Sequence, residues 1–243
     1  MEEEITKKIL EEAPVEKIYD DGLSPAMKEI GKALGNTVKA GRFLLAPVEY
    51  VAAYRSRWER YLKNIAEKVE EKNLIKGHPQ IVVPVLEGLA LSYENTLLCD
   101  MFVNLLANSV DKTKQGLVHP AFPKIIQQLS HDEAVILYFL KKKQLYKLRQ
   151  QSEFDHNKHL FFNKKIIKNE FPIDKLQFPE NFFIYMDHLY SLNIAGVWQN
   201  GNQEIISSDD GKTQVGVFIN SDIKVTSFGK LFINSCVPES YKI

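Results

Sequence analysis

The chain has 243 residues, enough for one or two domains, and 44% of them are hydrophobic, enough for a sizeable core. Lysine and arginine balance aspartate and glutamate at a formal net charge of zero, so the whole-molecule field steers neither nucleic acid nor an anionic membrane. Two cysteines, Cys99 and Cys236, each in an apolar helical pattern, read as reduced buried thiols and predict a cytoplasmic protein without a disulfide framework.

Residues 1–23 open as a charged arm, MEEEITKKILEEAP, unlike a secretory leader. Ser24-Pro25 starts a helical segment through Met27, Ile30, Leu34, Val38 and Leu44. Gly31 and Gly35 allow close packing there, and Lys28, Lys32, Lys39 and Arg42 interrupt the apolar run. From Val48 to Val69 the apolar positions Val51, Tyr54, Trp58, Leu62, Ile65 and Val69 define an amphipathic helix. These helices, 24–69, are the candidates for self-association or a protein partner. No window reaches the length and apolarity of a transmembrane span.

Pro79 suits the first turn of a helix over about Gln80 to Leu91, and Pro84 limits its regularity. From Asn95 to Val110 the apolar residues Leu97, Leu98, Met101, Phe102, Leu105, Leu106 and Val110 form the wide stripe of a deeply buried helix, with Ser92 or Asn95 as its cap. A short helix follows through Phe122, Ile125, Ile126 and Leu129. Ser130-x-x-Glu133 is a capping box that opens another over Asp132–Lys142.

A basic zone comes next. Between Lys141 and Lys175 ten basic residues face four acidic ones, a net +6. Lys141, Lys142, Lys143, Lys147, Lys164, Lys165 and Lys168 are its candidate phosphate- or partner-binding residues. Beyond Pro179, Asn181–Ser191 reads as a helix. Asn200-Gly201 between Val197-Trp198 and Ile205-Ile206 predicts a two-residue hairpin, and Asp210-Gly211 a second turn. Val215–Ile219 and Ile223–Thr226 read as separate strands, and Ser227 as the cap of a last helix.

Two constellations bear on chemistry. His156-x-x-His159 has metal-ligand spacing, but no cysteine accompanies it, so no metal or other cofactor is assigned. Arg149 and His156 match the Arg-x(4–6)-His spacing of HEPN ribonucleases, with Gln150 where a polar Asn, His or Asp is usual. They are the candidate catalytic pair of an alternative reading as a metal-independent ribonuclease. Walker, G-x-S-x-G, H-E-x-x-H and dinucleotide glycine motifs do not occur.

The run Met101–Ser109, with Pro84, Leu86-Glu87, Ala90, Asp111-Lys112, Val118–Phe122, Gln128–Ser130 and Asp132–Ala134, resembles the abortive infection alpha family of prokaryotic proteins. A weaker likeness covers Gly31–Val48 and Thr226–Val237. The resemblance implies a setting in phage defence. Its motifs are structural, so no catalytic residue carries over.

The fold expected is mainly α with a small β element: a helical bundle followed by a winged-helix-like module. Its parts are a charged arm (1–23), a helical domain (24–142), a basic connecting segment (143–178) and the winged-helix-like module with its hairpin (179–243). Glu180–Cys236 carries a net −3, which favours protein contact over nucleic-acid binding for that module. The function expected is a non-enzymatic effector of abortive infection acting through protein contacts. A nucleic-acid-binding regulator is the other alternative.

Overall fold

The computed structural model describes Arg57 and residues 60–242. The expected arm over 1–23 and most of the helices expected over 24–69 lie outside the described residues. Contacts divide the chain into two compact units, one running to Gln128 and including Ser235–Glu239, the other Leu129–Asn234 with the residues from Ser240.

The first unit is helical. Residues 60–66 are helical and bury Tyr61, Leu62 and Ile65. Helix α1 is Pro79–Leu91, with Pro79 in its first turn and His78 accepting from the Gln80 N–H. Pro84 sits inside it. Helix α2 is Leu97–Ser109, and its cap is Thr96, which accepts from the Cys99 N–H, rather than Ser92 or Asn95. Asn95 instead takes the left-handed conformation, φ 58°, in the connecting turn. Helix α3 is Phe122–Gln128, and α1, α2 and α3 pack on one another. Asn104 and Asn108, one turn apart on α2, donate to the carbonyls of Cys236 and Ser235 at 3.0 and 2.7 Å. They satisfy acceptors that a helix end leaves without intrahelical partners. Cys99 lies 3.3 Å from the Tyr61 hydroxyl, and burial pushes both the thiol and the phenol up, which keeps Cys99 protonated.

The second unit overturns the expected fold class. It is built on a five-stranded antiparallel sheet, so the protein is α+β with a substantial sheet and not a bundle with a small β element. Helix α4 is His131–Lys142, opened by the expected capping box of Ser130 and Glu133. Strand β1 is Leu145–Asp155 and β2 is Leu160–Asn169, an antiparallel hairpin inside the basic segment. Helix α5 is Phe182–Ser191, followed by β3 (Ala195–Gln199), β4 (Glu204–Ser207), β5 (Gln214–Val225) and helix α6 (Ser227–Cys236). The order is β2-β1-β5-β3, with β4 also on β5. The four strands expected in a separate C-terminal module are three, β3, β4 and β5, and they share one sheet with 145–169.

The hairpin expected at Asn200-Gly201 does not form. β3 pairs with the Ser221–Val225 end of β5 and β4 with its Gln214–Phe218 end. The two are successive stretches of one path along a twelve-residue partner. Gly201, φ 79°, absorbs the break, and Asn200 still donates to the Asn220 carbonyl at 2.7 Å. The two strands expected within 215–226 are one continuous β5, because β1 ladders against it from Leu145 to Glu153 without a shift. The cap of α6 is Thr226, whose hydroxyl accepts from the Gly229 N–H at 2.8 Å, not Ser227.

Strand alternation sorts the sheet into two faces. Tyr146, Leu148, Gln150 and Ser152 of β1 and Val217, Ser221 and Ile223 of β5 are buried on one face. Tyr146, Phe171 and Phe182 form a ring cluster there with Phe139, at centroid separations of 5.1 to 5.8 Å. Asp132 accepts from the N–H groups of Gln177 and Phe178, pinning the connection before α5 to the start of α4.

Candidate functional site

The other face of the sheet gathers four of the charged candidates, Lys147, Arg149, Lys165 and Lys168. Lys147 and Arg149 of β1 stand opposite Asp222 and Asn220 of β5, and Glu204 of β4 stands opposite Phe218. Arg149 makes a two-pronged bond to Glu204 at 2.7 and 3.1 Å, lies over the Phe218 ring at 4.5 Å and reaches Asn220 at 3.3 Å. Asn220 donates to Glu204 in turn, and the Arg149 and Asn220 donors hold the Glu204 carboxyl below its usual range. Lys147 sits 2.7 Å from Asp222, which also receives Asn200 at 3.2 Å and has Lys224 at 3.8 Å. Lys224 lies over Trp198.

The remaining lysines have partners as well. Lys165 pairs with Glu153 at 3.4 Å, and Lys143 and Lys168 both reach Glu170, at 3.3 and 2.9 Å. Lys168, then the Lys147 N–H and Lys143, draw Glu170 down to about 2. Lys164 lies 6.0 Å over the Phe183 ring, and Lys141 and Lys142 occupy the last turn of α4. The face is a set of closed ion pairs with half-exposed rings, not a field of bare cations.

Arg149 and His156 are not brought together. Arg149 sits mid-strand on β1 and is taken up by Glu204, whereas His156 comes seven positions later, past the end of the strand. His156 follows the end of β1, bonds the Gln214 carbonyl through Nε2 at 2.6 Å and sets its ring edge-on to Phe154. His159, φ 52°, belongs to the turn between β1 and β2, so the pair does not share a helix face. Among the described residues no group of three or more His, Cys, Asp or Glu is placed to hold a metal ion.

A further pairing also escaped the sequence. Glu133, read only as a cap, also meets His188 of α5, with Oε1 2.5 Å from Nδ1. The partners lie 55 residues apart, and no local pattern links them.

The Asp222 cluster gives a pH prediction. The Lys147 ammonium, first, and then Asn200 hold the Asp222 carboxyl below its usual range. A carboxylate lowered in the native state contributes stability above its unfolded value, about 3.9, and loses it as pH falls through the native one. Lys147→Met should therefore destabilise the protein near neutrality by on the order of 1 kcal/mol, with Lys224 and Asn200 still in place. It should also move acid unfolding to higher pH. Urea midpoints measured from pH 7 down to pH 2 read both effects, and unchanged acid unfolding would show that the pair contributes nothing.

Fold and surface together define an α+β protein whose sheet closes its charges on one face and carries an exposed edge strand, β2. The chain belongs to the abortive infection alpha family, whose model matches residues 53–236, well over half its length. This bears out the resemblance drawn from Met101–Ser109 and its companions, which fall on α1, on α2, on the 111–122 connection and around the start of α4; the weaker likeness over Gly31–Val48 lies outside the matched residues. No curated protein and no solved structure matches the chain. Among the described residues no helix is long and apolar enough to cross a membrane.

Proposed function

We propose that this chain is an effector of abortive infection, a phage-defence response, that works in the cytoplasm through protein contacts rather than by chemistry of its own. Membership of the family supports the setting. The mode of action rests on one observation: large apolar side chains stand exposed along β2, beside a sheet face whose candidate basic groups already have partners. Self-association through the 24–69 helices belongs to the same reading. The ribonuclease alternative draws less support, since Arg149 is taken up by Glu204 and His156, past the end of β1, by the Gln214 carbonyl.

The test is phage plating and culture survival. Cells expressing the protein should be protected at low phage dose and collapse at high dose. Arg149→Ala and His156→Ala should both leave protection intact. Loss of protection in either variant, with an unchanged circular dichroism spectrum, would put the ribonuclease reading in its place.

A further inference from the structure

Among the described residues β2 is an outermost strand of the sheet, hydrogen-bonded to β1 alone. All of it except Asn169 is exposed. Five of the twelve large hydrophobic residues exposed among the described residues lie on its ten positions: Leu160, Phe161, Phe162, Ile166 and Ile167. They occupy both faces, since Phe162 stands opposite Glu153 and Phe161 opposite Phe154. An edge strand presents a row of unpaired N–H and C=O groups that another extended chain can join. Natural edges are blunted by proline, charge or bulges. This one has no proline, but it carries three lysines, Asn163 at φ 50° and two register shifts against β1, so a partner strand has to neutralise the lysines and follow the irregular ladder.

Its charge decides the occupant. Leu160–Asn169 contains Lys164, Lys165 and Lys168 and no acidic residue. Two copies of β2 paired antiparallel about their midpoint would set Lys164 of one against Lys165 of the other, and like charges directly opposite destabilise a sheet. A single-stranded nucleic acid would use its bases against one face, leaving the apolar residues of the other uncovered. An added strand covers both, because its own side chains alternate.

We propose that the free edge of β2 takes an extended segment of a partner protein, alternately acidic and apolar, as a sixth strand. Its backbone pairs with the open ladder. Its carboxylates meet Lys164, which lies over the Phe183 ring and in no ion pair among the described residues, and share Lys165 and Lys168 with Glu153 and Glu170, while its apolar side chains cover Phe161, Phe162, Ile166 and Ile167. The inference rests on the contact reading given under Proposed function and names the chemistry of the partner.

The test uses the full chain and three fluorescein-labelled synthetic peptides, followed by fluorescence anisotropy at physiological salt. One alternates valine and glutamate, the second valine and lysine, and the third is the acidic peptide N-methylated at every second residue. The acidic peptide should bind, and the lysine peptide should bind roughly tenfold more weakly. N-methylation should abolish binding, because the backbone carries the pairing. Lys164→Glu, with an unchanged circular dichroism spectrum, should narrow the preference for the acidic peptide.

Failure of the acidic peptide to bind overturns the proposal, as does equal binding of its N-methylated form. Binding of a polyuridine oligonucleotide in place of the peptide, or a dimer in sedimentation velocity that changes in β2 dissolve, overturns it too. These outcomes are separate from the defence role: peptide binding without phage protection would strike the role and leave the edge. Protection without peptide binding would do the reverse.

Discussion

Phe102→Ala should lower the unfolding free energy by about 3–5 kcal/mol. Phe102 lies on α2, is 2% exposed, and packs its ring onto α1 where Gly88 has no side chain. A Cβ built at Gly88 would stand 2.4 Å from the tip of that ring, so the ring rests on bare backbone. Removing it leaves a cavity between two helices held apart by their other contacts, among them Leu105, Leu106, Val85 and Leu89, all fully buried. The loss is a large share of the roughly 5–15 kcal/mol that a domain has in total. Urea unfolding measures it directly. Protection against phage should disappear with the fold. Phe102→Leu, which keeps most of the volume, should cost less than about 1.5 kcal/mol. A loss under 1 kcal/mol for the alanine variant, on the same scale, would mean the helices close over the gap.

Gly229→Ala should destabilise the protein even though it improves a helix. Alanine is favoured over glycine in a helix interior by about 1 kcal/mol. Against that, a Cβ at Gly229 would lie 1.8 Å from the Ile194 carbonyl oxygen and 2.7 Å from its carbon. Those atoms are backbone and cannot turn aside. The same carbonyl accepts from the Thr226 N–H at 2.9 Å and the Thr226 hydroxyl at 3.3 Å, so moving it disturbs the cap of α6 as well. Overpacking of this kind typically costs 1–3 kcal/mol, about twice the propensity gain at its midpoint, so the net sign is destabilising. Gly116→Ala is the control, because a Cβ there meets nothing within 4 Å. It should stay within about 0.5 kcal/mol of the parent in thermal unfolding. A stabilised Gly229→Ala would show that the Ile194 turn yields easily.

Local chemistry was legible in the sequence wherever the deciding atoms are neighbours along the chain. The capping box at Ser130 and Glu133, the proline at the start of α1 and the turn at Asp210-Gly211 each close within a few residues, and each stands where expected. The apolar stripe of α2 was equally clear, since one helix buries it on several sides. The family was legible for the same reason: its motifs lie in these helices and their links.

The sheet was not legible, and the reasons differ strand by strand. On β1 the core-facing positions run Tyr146, Leu148, Gln150, Ser152, so polar side chains hide the alternation after two residues. On β2 apolar residues point to both faces, and lysines fill the gaps, so no period of two appears at all. Such a strand exists because β1 offers it a ladder. Asn200-Gly201 carries a strong local hairpin signal, yet β5 is long enough to pair β3 and β4 in succession, and its ladder outweighs the dipeptide. The sites were hidden by distance. Arg149 meets Glu204 and Glu133 meets His188 across 55 residues each, and Lys147 meets Asp222 across 75. The sequence determined helices, the Ser130 cap and family, because those depend on contacts within a turn or two; at α2 and α6 the cap fell on a neighbouring threonine, Thr96 and Thr226, instead. Which strands share a sheet, which lysines are neutralised and which edge is left open were decided by pairing between distant segments, which only the folded chain brings together.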